Sequence, residues 1–166
     1  MVNVFCSKKL EPFVDIDNNI QETLNQWNAH LVYFDGKKCL YFVDKKTLYS
    51  IFIADIVKKD LKNIGNLFFD TLVQQLKNDK IYRPELDNYL IENFKTIKFY
   101  KTDNDQKTLG TLRDDLNHLK AYCEDKNNKL LAALEFAQIS MNGIPIGVRK
   151  YYKAKELMKE ELKNHA

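Results

Sequence analysis

Residues 27–53 limit the fold more than any other part of the chain. Residues 29–34 and 38–43 are rich in β-branched and aromatic side chains. Between them sits Asp35-Gly36, a dipeptide that accepts the positive φ angles of a two-residue hairpin turn. After Val43 the polar run Asp44-Lys45-Lys46 predicts a second short turn, and residues 47–53 predict a third strand of strong β propensity. Alternation puts Leu40 and Phe42 on one face of the middle strand and Cys39, Tyr41 and Val43 on the other. Neither face is polar. An antiparallel meander with two apolar faces implies a central strand, covered by helices on one side and at least partly on the other.

The remaining elements follow from changes of period. Val2–Cys6 reads as a first strand, and Ser7 as the cap of a helical turn over residues 8–11 that Pro12 disturbs. Ile20, Thr23, Leu24 and Trp27 fall at helical spacing, which predicts a short helix leading into the meander. Leu61, Ile64, Phe68, Leu72 and Leu76 recur in steps of three and four and predict an amphipathic helix over 58–77. Gly65 within it costs ~1 kcal/mol relative to alanine, which a close approach to the sheet would explain. A short helix starts near Pro84 with Leu86, Leu90 and Ile91 or Phe94 inward, followed by a strand over 96–101. Leu109, Leu112, Leu116, Leu119 and Cys123 mark the next helix. Residues 130–139 mark another, shut off by Asn142-Gly143, and a last one begins near 148 and carries Tyr151, Ala154, Leu157, Met158 and Leu162. No internal repeat, Gly/Ser linker or low-complexity tract divides the chain. The expected architecture is therefore one α+β domain over 1–166. Its antiparallel sheet has four or five strands packed by amphipathic helices, and residues 126–166 form a helical C-terminal extension of the same domain.

Several chemistries are excluded on residue type and spacing. No apolar run approaches the ~18 residues of a membrane span. The N-terminal lysines follow the apolar segment rather than preceding it, against a secretory signal. Cys6, Cys39 and Cys123 are far apart and odd in number, so they read as reduced thiols of a cytoplasmic protein, two of them as small core residues. His30, His118 and His165 are isolated, against a zinc site. There is no phosphate-binding glycine loop and no serine nucleophile elbow. Asp35 and Asp44-Lys45-Lys46 superficially suggest a metal-dependent nuclease. They bracket one strand, however, roughly 25 Å apart at ~3.3 Å per residue, and read as two turns. Cys39 and His30 sit on neighbouring strands, but the hairpin register does not pair them, and a buried strand cysteine is inert. Trp27 reads as a core or rim anchor rather than a ligand platform. No cofactor is expected.

The formal net charge is only +3, and residues 145–166 alone carry it, with six Lys/Arg against three Glu. In that segment Arg149, Lys150, Lys153, Lys155 and Lys159 surround Tyr151 and Tyr152, a mixture that contacts phosphates and stacks on bases. The plainer reading, a solvated amphipathic helix whose Glu156 and Glu160 offset the charge, is preferred.

Three segments resemble an uncharacterised bacterial family, a domain of unknown function often carried on plasmids, phages and other mobile elements. They are Trp27-Asn28-Ala29-His30-Leu31, Asp35-Gly36-Lys37-Lys38-Cys39-Leu40-Tyr41-Phe42-Val43 and Thr47-Leu48-Tyr49-Ser50. Thr108-Leu109-Gly110-Thr111-Leu112-Arg113-Asp114 is similar to the family's second motif, with Leu112-Arg113 where Met-Asn is usual. The resemblance spans about residues 1–125. It implies an intracellular α+β domain and supplies no catalytic residues. The expected function is that of a non-enzymatic binding or regulatory protein with a macromolecular, protein partner. In its most specific form, the chain is a phage or plasmid product that inhibits a host defence system. The alternatives are nucleic-acid binding through the basic C-terminal segment, and an enzyme whose site is assembled from distant residues.

Overall fold

The computed structural model describes residues 1–165. Five strands, β1 (Val2–Cys6), β2 (Gln26–Phe34), β3 (Lys37–Asp44), β4 (Ser50–Ile53) and β5 (Ile97–Lys101), form one sheet in the order β4-β3-β2-β1-β5. The helices are α1 (Lys58–Leu61), α2 (Ile64–Asn78), α3 (Asp87–Phe94), α4 (Gln106–Cys123), α5 (Lys129–Ile139) and α6 (Ala154–Lys163). The α+β class stands, and the meander β2-β3-β4 is antiparallel as expected. Asp35 and Gly36 both adopt positive φ, 49° and 74°, in the hairpin turn. The Asp35 carboxylate also accepts the Leu130 N–H at 2.8 Å, so the same turn anchors the start of α5.

The sheet is mixed rather than antiparallel throughout, because β1 pairs parallel with both β2 and β5. Each of these pairs is joined by a long connection, residues 7–25 in one case and residues 7–96, meander and helices α1–α3 together, in the other. Such connections can return the chain in the same direction, whereas a hairpin cannot.

Four boundaries differ from the sequence reading, each for a local reason. The helix expected over 20–27 does not form, and a 3₁₀ turn, Glu11–Phe13, is the helical piece ahead of the meander. Asn3 donates its amide to the Asn25 carbonyl and its side chain to the Gln21 carbonyl, which ties that segment to β1 as extended chain. Trp27 is consequently a buried strand residue, while Ile20 and Leu24 are 63% and 92% exposed. The third strand starts late, because the Asp44 carboxylate accepts both the N–H and the hydroxyl of Thr47 at 2.7 Å and winds residues 44–48 into a turn. The helix over 58–77 breaks into α1 and α2, and Gly65 does lie close to the sheet, a built Cβ coming 3.2 Å from the Lys95 carbonyl. The last helix begins at Ala154, since Lys150 and Tyr151 take left-handed φ of 54° and 65° that no α-helix from 148 could contain. Tyr151 faces outward there.

Both faces of the sheet are covered. On one, Trp27, Leu40, Phe42 and Ile51 pack against α2, α3 and α6, with Trp27 and Phe42 each meeting Phe68 edge-on at 5.1 Å. On the other, Val32, Cys39, Tyr41 and Phe52 pack against Leu112, Leu116 and Leu119 of α4 and the alanines of α5. The β4 edge is partly closed by buried Asn142. Its side chain accepts the Ser50 N–H at 2.8 Å and donates to the Ser50 carbonyl at 2.9 Å, taking one position of a missing strand.

Candidate functional site

The neighbours β1 and β5 run parallel, but the chain leaves them in opposite directions. After β1 it turns over the first face, where Leu10, Val14 and Ile16 join the core. After β5 it passes into α4 on the second face. Adjacent parallel strands whose continuations part in this way leave a crevice at their carboxyl ends. Here that crevice is a cleft of about 390 Å³, walled by Ser7 and Lys8 after β1, by Thr102 and Asn104 after β5, and by His30 of β2.

Helix α4 forms the opposite wall. Leu109, Leu112 and Leu116 repeat along its sheet-facing stripe and make an apolar floor, and Arg113, Asn117 and Lys120 rise at its margin. Lys8, Arg113 and Lys120 form no ion pair among the described residues. Four other surface clefts reach 290–460 Å³, and each is lined by at least one Asp or Glu; this cleft is lined by none. The two acids of the neighbouring loop, Asp103 and Asp105, are both engaged by Lys45, the latter at 3.6 Å. Asp105 also caps α4, accepting from the Lys107 and Thr108 amides, so the loop that walls the cleft is fixed at both ends. Burial, and then the positive charges of Lys9 and Lys120, hold His30 below the usual imidazole range. The Ser7 hydroxyl is buried and finds no hydrogen-bond partner among the described residues.

The seven C-terminal residues singled out from sequence are divided between a turn and a helix. Arg149 ends a 3₁₀ turn, Gly147–Arg149, and its guanidinium donates to the carbonyls of Lys45 at 3.3 Å and Lys46, which gives it a structural engagement with the β3–β4 turn. Lys150, Tyr151 and Tyr152 stand together on the surface, the tyrosines 76% and 56% exposed. Lys153 is the N-cap residue of α6 and Lys155 lies in its first turn near Gly143. Lys159 lines a separate groove between Glu156 and Glu160 of its own helix and Lys80 and Arg83 from the chain after α2.

Sequence reasoning weighed His30 only as a zinc ligand or a partner for Cys39, and passed over Lys8, Arg113 and Lys120 as site residues. The i, i+7 spacing of Arg113 and Lys120 on a leucine-striped helix was the available signal. It gains meaning only once parallel pairing of β1 and β5 brings residues 7–8 and 102–104 beside that helix.

A second polar feature lies under α4. The Tyr41 hydroxyl donates to Asp115 at 2.9 Å, and burial pushes the Asp115 carboxyl up to about 7. Asp115, Asp114 and His118 line a cleft of about 290 Å³ closed by residues 144–147. Cys39 pairs with Val32 and not with His30, so no thiol–imidazole pair forms. All three cysteines are free and buried, and burial, aided by Glu11, pushes Cys6 up to about 12. Among the described residues no group of three His, Cys, Asp or Glu is placed to hold a metal ion, and no helix is long and apolar enough to cross a membrane.

No curated protein and no solved structure matches the chain. A family model described as Domain of unknown function (DUF6933) matches residues 3–157, running past residue 125 through α5 into α6, and the chain belongs to that family.

Proposed function

We propose that this protein is a non-enzymatic binding protein whose macromolecular partner presents an anionic group to the cleft beyond β1 and β5. One observation carries the reading: three unpaired cations, Lys8, Arg113 and Lys120, border a cleft at a strand-order switch that has no carboxylate in its lining. Like charges gathered without counter-charges repel one another and are retained at a stability cost, which a bound anion offsets. The buried thiols agree with the reducing, cytoplasmic location that belongs to the same reading. The form in which the partner is a host defence component rests on the mobile-element resemblance alone.

Calorimetric titration with inorganic pyrophosphate tests the reading. Binding is expected to weaken steeply as salt rises, and to fall at least tenfold in the Arg113→Ala/Lys120→Ala double variant. Absence of binding at low salt, or equal binding by the variant, would refute the cleft as the site.

Two other readings each have one observation behind them. The exposed Tyr151 and Tyr152 beside Lys150 favour a second contact surface near the C-terminus. The near-neutral Asp115 at its own cleft favours an acid–base role. Its partner there is the phenol of Tyr41, which burial raises well above its usual value, so Asp115 is the member of the pair that exchanges a proton near pH 7.

A further inference from the structure

The cations explain attraction for an anion, but they occupy only the margin of the cleft. Its middle is apolar, Leu112 and Leu116 being buried and Leu109 half-buried along one stripe of α4. A bare phosphate or an acidic side chain would leave that floor wet and unused. The volume of about 390 Å³ lies within the ~300–1,000 Å³ of sites that enclose an organic ligand. Two carboxamides, Asn104 from the β5–α4 loop and Asn117 from α4, flank the floor, and each presents a donor and an acceptor to a planar polar edge. The His30 imidazole lines the same cleft and supplies a flat ring for stacking. Arg113 and Lys120 are separated by two helical turns, ~10 Å along the axis at ~1.5 Å per residue. Their long side chains can close on one phosphoryl group or take two successive ones.

An apolar floor, a flat ring, paired amide edges and a cationic margin together match a base joined to a phosphate. We infer that the ligand of the cleft is a nucleotide unit, its base laid on Leu109, Leu112 and Leu116 beside His30 and its phosphate held by Lys8, Arg113 and Lys120. This rests on the anion-binding reading above and adds the base to it. The same chemistry is offered by a free mononucleotide and by a nucleotide within a single strand.

The test uses the whole chain and four probes: inorganic pyrophosphate, adenosine monophosphate, a six-nucleotide single strand, and an abasic strand of equal length and charge. The strand or the mononucleotide is expected to bind at least tenfold tighter than its base-free counterpart. Leu109→Ser should remove most of that advantage while leaving pyrophosphate binding within twofold. Because Leu109 is half-buried, the melting temperature of Leu109→Ser is measured alongside, and Asn117→Ala on the exposed margin serves as a second variant expected to cut base-dependent binding threefold or more. Tight binding of the mononucleotide identifies a free nucleotide, and tight binding of the strand alone identifies a polymer; both support the inference. Equal affinity for base-bearing and base-free probes would overturn the nucleotide assignment and leave the anion cleft standing. Failure of every probe to bind would overturn both.

Discussion

The two faces of the sheet are built from the same strands but handle polar groups differently. The face under α2, α3 and α6 holds Trp27, Phe42 and Phe68 in edge-on contact and packs aliphatic side chains around them. The face under α4 and α5 buries Asn28, whose side-chain atoms find no partner among the described residues, as well as the Tyr41–Asp115 pair and the Ser50–Asn142 pair, whereas buried Asp44, at the end of β3 opposite Trp27 on the first face, is satisfied by Thr47. Burying a polar group costs more than burying a methylene gains unless its hydrogen bonds are replaced. The first face therefore supplies stability, and the second carries groups whose presence stability alone does not explain. The strand-end cleft opens on that second face.

The largest effect expected from this contrast is on the first face. Trp27→Ala should cost about 3–5 kcal/mol by leaving a cavity against Phe68, read as a lower urea midpoint with an unchanged slope. A loss below about 1 kcal/mol would mean the aromatic cluster is not the anchor of the fold.

An effect of opposite character is expected from the two buried carboxyls, Asp115 on the second face and Asp44 at the end of β3. Burial, opposed in part by the Thr47 and Tyr41 hydrogen bonds, raises Asp44 to about 6 and Asp115 to about 7. Between about pH 4, where an unfolded carboxyl titrates, and these values the folded chain holds protons that the unfolded chain has released. Stability from these groups is thus greatest at low pH and falls as pH rises, levelling above about 7. From pH 5 to pH 8 the loss should be about 4 kcal/mol, and Asp115→Asn should remove roughly two-thirds of it. Urea unfolding of both proteins at the two pH values checks the sign, and a wild type more stable at pH 8 would contradict it. His30 acts in the other direction. With its value held low, protonation disfavours the folded state as pH drops below about 6.5. A bound phosphate should relieve that penalty, so anion affinity should rise between pH 7.5 and 5.5 and lose this pH dependence in His30→Asn.

The smallest expected effect concerns the C-terminal turn. Arg149→Ala removes two hydrogen bonds to the β3–β4 turn and should cost about 1 kcal/mol, whereas Lys150→Ala on the open surface should change stability by less than about 0.5 kcal/mol. Equal losses in thermal melts would place Lys150 in the structure as firmly as Arg149.

These regions also differ in how far the sequence reveals them. The meander was legible because alternation, Asp35-Gly36 and β-rich runs all act within a few residues, and the leucine spacing of α4 is equally local. The parallel placement of β1 was not, because nothing near Val2–Cys6 records which partners lie 20 or 95 residues away. The mistaken helix before the meander shows the same limit: Ile20, Thr23, Leu24 and Trp27 fit a helical period until β1 claims the segment as extended chain. The cleft inherits that uncertainty, since its cations come from two segments that only the parallel pairing brings together. The C-terminal cluster failed differently. Its charges were read as one helix face, while left-handed Lys150 and Tyr151 divide it into a turn and a helix.

The most direct test is the melting temperature and pyrophosphate affinity of the Lys8→Ala/Arg113→Ala/Lys120→Ala triple variant, measured together. If the three cations serve a ligand rather than the fold, removing them should leave the melting temperature unchanged or raise it by a few degrees, while pyrophosphate binding disappears. A melting temperature lowered by several degrees with binding intact would show that they hold the structure together and that the cleft is not their purpose.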